Sequence, residues 1–355
     1  MSQLPLFTRR RALYLVGGLA GSLALHSCTQ PSATTEPETE ASPAAEAEST
    51  EPVSATTGST LWIGYAPLYI ALEKGFFNEK GLTLDYKVLS SSGEGDAAFA
   101  AGRLDGQNTV TSEAVALVSK GQDYRIIQVA DTSLGGDGIL ARNSIADIAD
   151  FRGKEIAVDV GGVSHFFLLQ VLEEAGLSDA DVTITNLTPD AAAAAYQAGR
   201  VEIAVTYSPF LKQANDAQPD GRIIYDTSKM PTAIVDVYMF NTQYVQENPK
   251  AIDAYVRGIF RAIDFIGESP DEAYELAGKW LELSPEDVAT ELQGVDLTSV
   301  ENNIKMLGQP DSGIYLAEHM DKLGQFLKSQ GQIADAPSME TLTQLLDPTF
   351  VQALA

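Results

Sequence analysis

Hydrophobic and polar positions alternate in two registers along most of the chain. Short apolar runs of strand length are followed by stretches of helical period. From Thr60 the run Leu61-Trp62-Ile63-Gly64 reads as a strand leading into Pro67, a residue favoured in the first turn of a helix. That helix runs from Leu68 toward Gly75, a natural C-terminal glycine. Leu82–Leu89 alternates as a strand, and Ser90-Ser91-Ser92-Gly93 opens a second helix that ends at Gly102. Arg125–Ala130 is a further apolar strand. Strand–helix alternation of this kind predicts an α/β protein with mainly parallel sheets.

The pattern recurs. Phe99-Ala100-Ala101-Gly102-Arg103-Leu104-Asp105, followed by Thr109, is echoed 97 residues later by Tyr196-Gln197-Ala198-Gly199-Arg200-Val201-Glu202, followed by Thr206. Each copy closes a helix on glycine and continues with arginine, an aliphatic residue, an acid and a strand. Two lobes of one design are the simplest reading. Phe151-Arg152-Gly153-Lys154 precedes the strand Glu155–Val158 of the second lobe, and Val237–Phe240 is the strand that returns to the first. The rest reads as helices over 251–266, 270–281, 285–292 and 314–329. The expected organisation is therefore a first lobe of 59–140 plus 237–355 and a second of 141–236. The chain should cross between them near 131–142 and 234–241, forming a hinge with a central cleft.

The first 58 residues follow other rules. Arg9, Arg10 and Arg11 precede an apolar run from Ala12 to Leu25, too short to span a bilayer but suited to a signal peptide over 1–27. Thr8-Arg9-Arg10 with Leu13 also resembles a twin-arginine signal. Leu25-His26-Ser27-Cys28 resembles a lipobox, in which the cysteine becomes the lipidated N-terminus. Residues 29–58 are rich in Ser, Thr, Ala, Pro and Glu, with no aromatic or basic residue, so 28–58 is expected to be a disordered tether. The expected localisation is exported and membrane-anchored by lipid.

Composition narrows the function. The 355 residues carry 49 acidic and 23 basic side chains, a net charge of -26, which argues against a nucleic-acid partner. One cysteine permits no intrachain disulfide, and three histidines make a zinc hydrolase improbable. No metal site and no cofactor are expected. Gly162-Val163-Ser164-His165-Phe166 has Phe166 where a nucleophile elbow needs glycine, and adjacent Ser and His on a helix diverge. An enzyme is therefore not expected, and an inert adhesin would not need a cleft.

Several segments together resemble the nitrate/sulfonate/taurine class of solute-binding proteins of ABC importers, which share a fold with thiamin-pyrimidine-binding proteins. They are Trp62–Ala71 with Glu73-Lys74-Gly75-Phe76-Phe77, then Ser133–Ile139, Phe151–Lys154, Gly162–Phe166 and Ala198–Glu202. The resemblance implies a two-lobed periplasmic-binding-protein fold of type II, a small-molecule ligand, and an inner-membrane ABC permease as partner. The protein is expected to act as a monomer.

Ligands of such sheets sit beyond the C-terminal ends of strands. The junction residues there supply the expected ligand-binding set: Trp62, Tyr65, Tyr69, Ser92, Gly93, Ser112, Glu113, Asp137, Ser164, His165, Phe166, Tyr207 and Asp236. None is Lys or Arg. Aromatic faces beside carboxylates suit a cation, so the expected solute is nitrogenous, of guanidinium, amidine or aminopyrimidine type. The alternative is taurine, an alkanesulfonate or another small anion, and a remote alternative is an enzyme of thiamin-pyrimidine metabolism. For the anchor, Cys28→Ser should release the protein from membranes into the soluble fraction, as read by fractionation and immunoblot. Retention of the variant in the membrane would overturn the lipobox reading.

Overall fold

The structure, a computed structural model, describes residues 53–355; Cys28 and the expected signal peptide lie outside them. The first lobe starts with β1 (Val53–Ser59), α1 (Ala66–Lys74), β2 (Leu82–Val88), α2 (Ser92–Ala100), β3 (Gly106–Val110), α3 (Thr111–Ser119) and β4 (Tyr124–Ser133). The second comprises β5 (Asp137–Arg142), β6 (Glu155–Val158), α4 (Val163–Glu174), β7 (Thr183–Asn186), α5 (Pro189–Gln197), β8 (Ile203–Tyr207), α6 (Phe210–Ala217) and β9 (Gly221–Asp226). The chain then returns through β10 (Val235–Asn241). It continues into α7 (Thr242–Glu247), α8 (Pro249–Glu268), α9 (Pro270–Leu281), α10 (Pro285–Glu291) and β11 (Val295–Leu297). Helices over Val300–Gly308 and Leu316–Ser329 and two shorter ones complete the chain.

The two sheets have the order β11-β4-β10-β3-β1-β2 and β7-β6-β8-β5-β9. In each, three parallel strands of the repeat meet an antiparallel strand delivered by the chain crossing, β10 in one and β5 in the other. The repeat is thus visible in three dimensions: α2 and α5 both end before a left-handed glycine, Gly102 and Gly199. Each sheet buries its helix-facing residues because βα crossovers cover its faces.

Three expectations are corrected. The first strand is Val53–Ser59, inside the stretch expected to be tether, and Leu61–Gly64 is not a strand. The β1 strand pairs along its whole length with β2 and also meets β3, so backbone bonding and β-branched threonines hold it without large apolar side chains. Leu61–Gly64 is apolar for another reason: it leads into a single 3₁₀ turn at Ile63–Tyr65 and carries Trp62 to the junction between lobes. Third, the crossings lie at 134–136 and 227–234. Residues 137–140 therefore belong to the second sheet and 235–236 to the first.

The crossings are tied together. The Ser133 and Thr227 hydroxyls are 2.7 Å apart, and Gly135 N donates to Thr227 Oγ1 at 2.7 Å. Gly294 O accepts from Leu134 N and Gly136 N, bracing the first crossing against the segment before β11. Trp62 packs on the same point: a Cβ on Gly136 would lie 2.4 Å from the indole ring and 3.2 Å from Gly294 O. Gly136→Ala should therefore destabilise the protein by about 1–3 kcal/mol in urea unfolding. A Trp62→Phe background, with a shorter ring, should recover part of that loss. An unchanged midpoint for Gly136→Ala would show that the crossing has more slack than this packing allows.

Candidate functional site

The cavity follows from where strands end. In the first sheet, register places Val110, Asp236 and Asp131 side by side across β3, β10 and β4. In the second, Asp137 on β5 pairs with Tyr207 on β8. These strand ends face one another across a cavity whose empty space, solvent at its mouth included, is about 430 Å³. Its wall includes Ser59, Thr60, Trp62, Tyr65, Leu89, Ser91, Ser92, Gly95 and the β3 run Gln107-Asn108-Thr109-Val110. Glu113, Asp137, Val163, Tyr207, Ile234 and Asp236 complete it.

Seven of the expected residues are brought together here: Trp62, Tyr65, Ser92, Glu113, Asp137, Tyr207 and Asp236. Six stand elsewhere. Tyr69 is buried behind the wall, its ring stacked on Trp280 at 5.4 Å and its hydroxyl beside the Trp62 backbone. Gly93 is exposed on the first turn of α2. Ser112 is buried on α3 away from the wall. Ser164 is buried with no partner for its hydroxyl, while His165 Nδ1 accepts from Gly161 N, so no bond joins the two side chains. Phe166 packs in the core.

The wall residues missing from the sequence reading are chiefly Ser59, Thr60, Leu89, Gly95, Gln107, Asn108, Val110, Val163 and Ile234. Most sit inside strands or one residue past them, where nothing in their type marks them. The β3 segment Gly106–Val110 did carry a signal: Gln107 and Asn108 are consecutive amides in a fully buried strand.

Trp62 Nε1 donates to both oxygens of Asp131, at 3.3 and 3.2 Å, and its ring meets Tyr207 of the opposite lobe edge-on at 5.9 Å. Tyr65 Oη donates to Asp236 Oδ1 at 2.7 Å. Glu113 Oε1 accepts from Val163 N at 2.9 Å, and its other oxygen accepts from Thr109 Oγ1. Asp137 Oδ1, Gln107 Oε1, Asn108 Nδ2 and Tyr207 Oη are buried without a hydrogen-bond partner. The wall thus has unused acceptors and unused donors. Among the described residues that line it, none is Lys, Arg or His. No group of three or more His, Cys, Asp or Glu among the described residues is placed to hold a metal.

Four carboxyls are crowded into this region and burial raises all of them. Burial pushes Asp131 up to about 8, aided by Asp137 and Asp296 and opposed by the Trp62 N–H. Burial, then Asp96, raises Glu113 to about 7, and burial raises Asp137 to about 7. Asp236 is held well above the carboxylate range by burial and then by Asp131.

A carboxyl whose folded pKa exceeds its unfolded value of about 4 holds its proton longer in the native state. Its stabilisation is complete below about pH 4 and is lost as pH rises through the folded value. For Glu113, Asp137 and Asp131 that loss runs from about pH 4 to about 7–8, where it is complete. The melting temperature should therefore fall across this window. Asp131→Asn, which keeps an acceptor for Trp62, should flatten the slope by up to about 1.4 kcal/mol per pH unit. A slope unaltered by Asp131→Asn, by calorimetry at several pH values, would mean that this carboxyl is ionised throughout.

The comparisons agree with this architecture. The taurine-binding periplasmic protein of Escherichia coli (strain K12) is 25% identical over 291 residues, covering 78% of this chain and 86% of that one. The alkanesulfonate-binding protein SsuA from Xanthomonas axonopodis pv. citri, bound to MOPS, superposes with a TM-score of 0.67 at 17% identity, over 83% of this chain and 98% of the other. The periplasmic nitrate-binding protein NrtA from Synechocystis PCC 6803 does so with a TM-score of 0.68 at 17% identity, over 86% and 88%. The fold is that of two-lobed periplasmic binding proteins. The family model described as NMT1/THI5 like matches residues 62–273, and the chain belongs to the NMT1/THI5-like family.

Proposed function

We propose that the chain is the exported solute-binding component of an ABC importer, and that its solute is a small amine-bearing acid of the taurine type. The single observation that carries the solute class is the charge of the wall. Glu113, Asp137 and Asp236, with Asp131 behind, face the cavity, and among the described residues no cationic side chain lines it. An ammonium group entering there gains ionic hydrogen bonds and an aromatic face. A bare anion meets desolvation and like charge.

The relatives support the acid half of the solute. Taurine, named for the Escherichia coli protein, and MOPS, named for the Xanthomonas complex, each join a basic nitrogen to a sulfonate. The unused Tyr207 Oη and Asn108 Nδ2, with the hydroxyl of Ser91, which only accepts from Glu94 N, are donors available to sulfonate oxygens. These comparisons favour the aminosulfonate over the purely nitrogenous solute that the sequence suggests. A guanidinium or amidine solute is kept as the second reading, because no Lys or Arg among the described residues lines the cavity opposite a sulfonate.

In this reading the lobes hinge at 134–136 and 227–234, close on the solute, and present it to a membrane permease. No helix among the described residues is long and apolar enough to cross a membrane. In this reading the lipid on Cys28, which lies outside the described residues, attaches the protein to the membrane, and the protein works as a monomer.

Calorimetry of the mature protein with taurine, ethanesulfonate, guanidinium and nitrate tests the solute. Taurine should bind at least about tenfold more tightly than ethanesulfonate, which lacks the nitrogen. Taurine affinity should rise from about pH 6 to 8 with proton release, because an ammonium favours the ionised form of carboxyls near 7. Asp236→Asn and Trp62→Ala should each cost about tenfold. Equal binding of ethanesulfonate and taurine at every pH would refute the role of the carboxylates, and binding of guanidinium alone would establish the second reading.

A further inference from the structure

Two helices whose N-termini reach the cavity are met there by a carboxylate from the opposite lobe. The α4 helix begins at Val163, whose N–H donates to Glu113 of the first lobe at 2.9 Å. The α2 helix begins at Ser92, whose N–H points to Asp159 Oδ2 of the second lobe at 3.4 Å. The lobes touch at this seam: a Cβ on Gly162 would lie 2.9 Å from Asp159 Oδ2 and 3.0 Å from Ser92 Oγ. Glu113 and Val163 both line the cavity, whereas Asp159 does not.

A helix N-terminus offers free N–H groups and the positive end of a dipole, which favours an anion. At α4 that place is taken by a side chain. We propose that Glu113, with Asp159 as its counterpart across the seam, is the charge filter of the site: it makes the lobes close over an amine-bearing solute in preference to a simple anion. This rests on the solute-binding reading above and adds the residue that sets the choice.

The physical argument is one of occupancy. An anion seated at the α4 N-terminus has to displace Glu113 from Val163 N, stripping a buried carboxylate of its backbone donor. An anion seated beside Glu113 meets its charge at short range in a region withdrawn from water. An ammonium placed on the cavity side of Glu113 needs neither change. Asp159 acts at longer range, adding negative charge on the far side of the same contact without touching the solute. Burial raises the pKa of both groups, and Asp96 raises that of Glu113 further, a like-charge contact that a cation beside Glu113 would relieve.

The test is calorimetry at about pH 8 on wild type, Glu113→Gln and Asp159→Asn, with taurine and ethanesulfonate as probes. Glutamine keeps an acceptor for Val163 N and removes only the charge. In Glu113→Gln the taurine-to-ethanesulfonate affinity ratio should fall at least about tenfold, through weaker taurine binding and tighter ethanesulfonate binding. Asp159→Asn should shift the ratio the same way by a smaller factor; lying outside the cavity wall, it reports the seam rather than a lost ligand contact. Equal weakening of both probes in Glu113→Gln would reduce Glu113 to an interlobe brace and overturn the filter. Should that variant fail to fold, an unchanged ratio in Asp159→Asn overturns it instead. Wild type that prefers ethanesulfonate refutes the amine reading whatever the variants do, and wild type that binds neither probe refutes both proposals.

Discussion

The rest of the structure hangs on the hydrogen bond from the Trp62 indole to a fully buried carboxyl, Asp131. A carboxyl without water is costly unless a donor faces it or it keeps its proton. Here the donor is brought by the 3₁₀ turn at Ile63–Tyr65, and the carboxyl stands near the end of the last strand before the chain leaves the lobe. The bond therefore fixes how α1 sits against the sheet and where the first crossing begins. Its indole ring also reaches Tyr207 across the lobes and leaves no room for a side chain at Gly136. One contact thus sets the spacing of the crossing, the position of one cavity wall and the approach of the second lobe.

Around that point the protein concentrates carboxyl groups where ordinary cores avoid them. Asp236 is the cross-strand neighbour of Asp131, and Asp137 opens the first strand beyond the crossing. Strand ends beside the two crossings also line the cavity. The hydroxyl pair Ser133–Thr227 ties the two crossings to each other without adding charge.

Membership of the NMT1/THI5-like family fits this economy. The doubled strand–helix unit, with an antiparallel strand donated at each crossing, supplies a cleft whose wall is made of strand ends and helix starts. Such a wall is changed by substituting side chains without rebuilding the scaffold. In this chain the described residues of that wall include acidic, aromatic and polar side chains, with no Lys, Arg or His among them.

The linear sequence determined the α/β class, the doubled unit and most of the helices, because periodicity, Pro67 and the glycines closing α2 and α5 are local signals. It also placed Trp62, Tyr65, Ser92, Glu113, Asp137, Tyr207 and Asp236 at strand ends, and these all reach the cavity. Tertiary structure alone decided the remainder. The β1 strand, Val53–Ser59, has the composition of a tether and becomes a strand only because β2 and β3 flank it. Val163 and not Ser164 faces the cavity because the rotation of α4 about its axis is set by the apolar residues it buries, not by which polar residue begins it. Gln107 and Asn108 line the wall because β3 is central in its sheet and its end opens there. Loop position follows from local pattern, but the face a residue turns toward a partner lobe depends on packing between segments far apart in the chain.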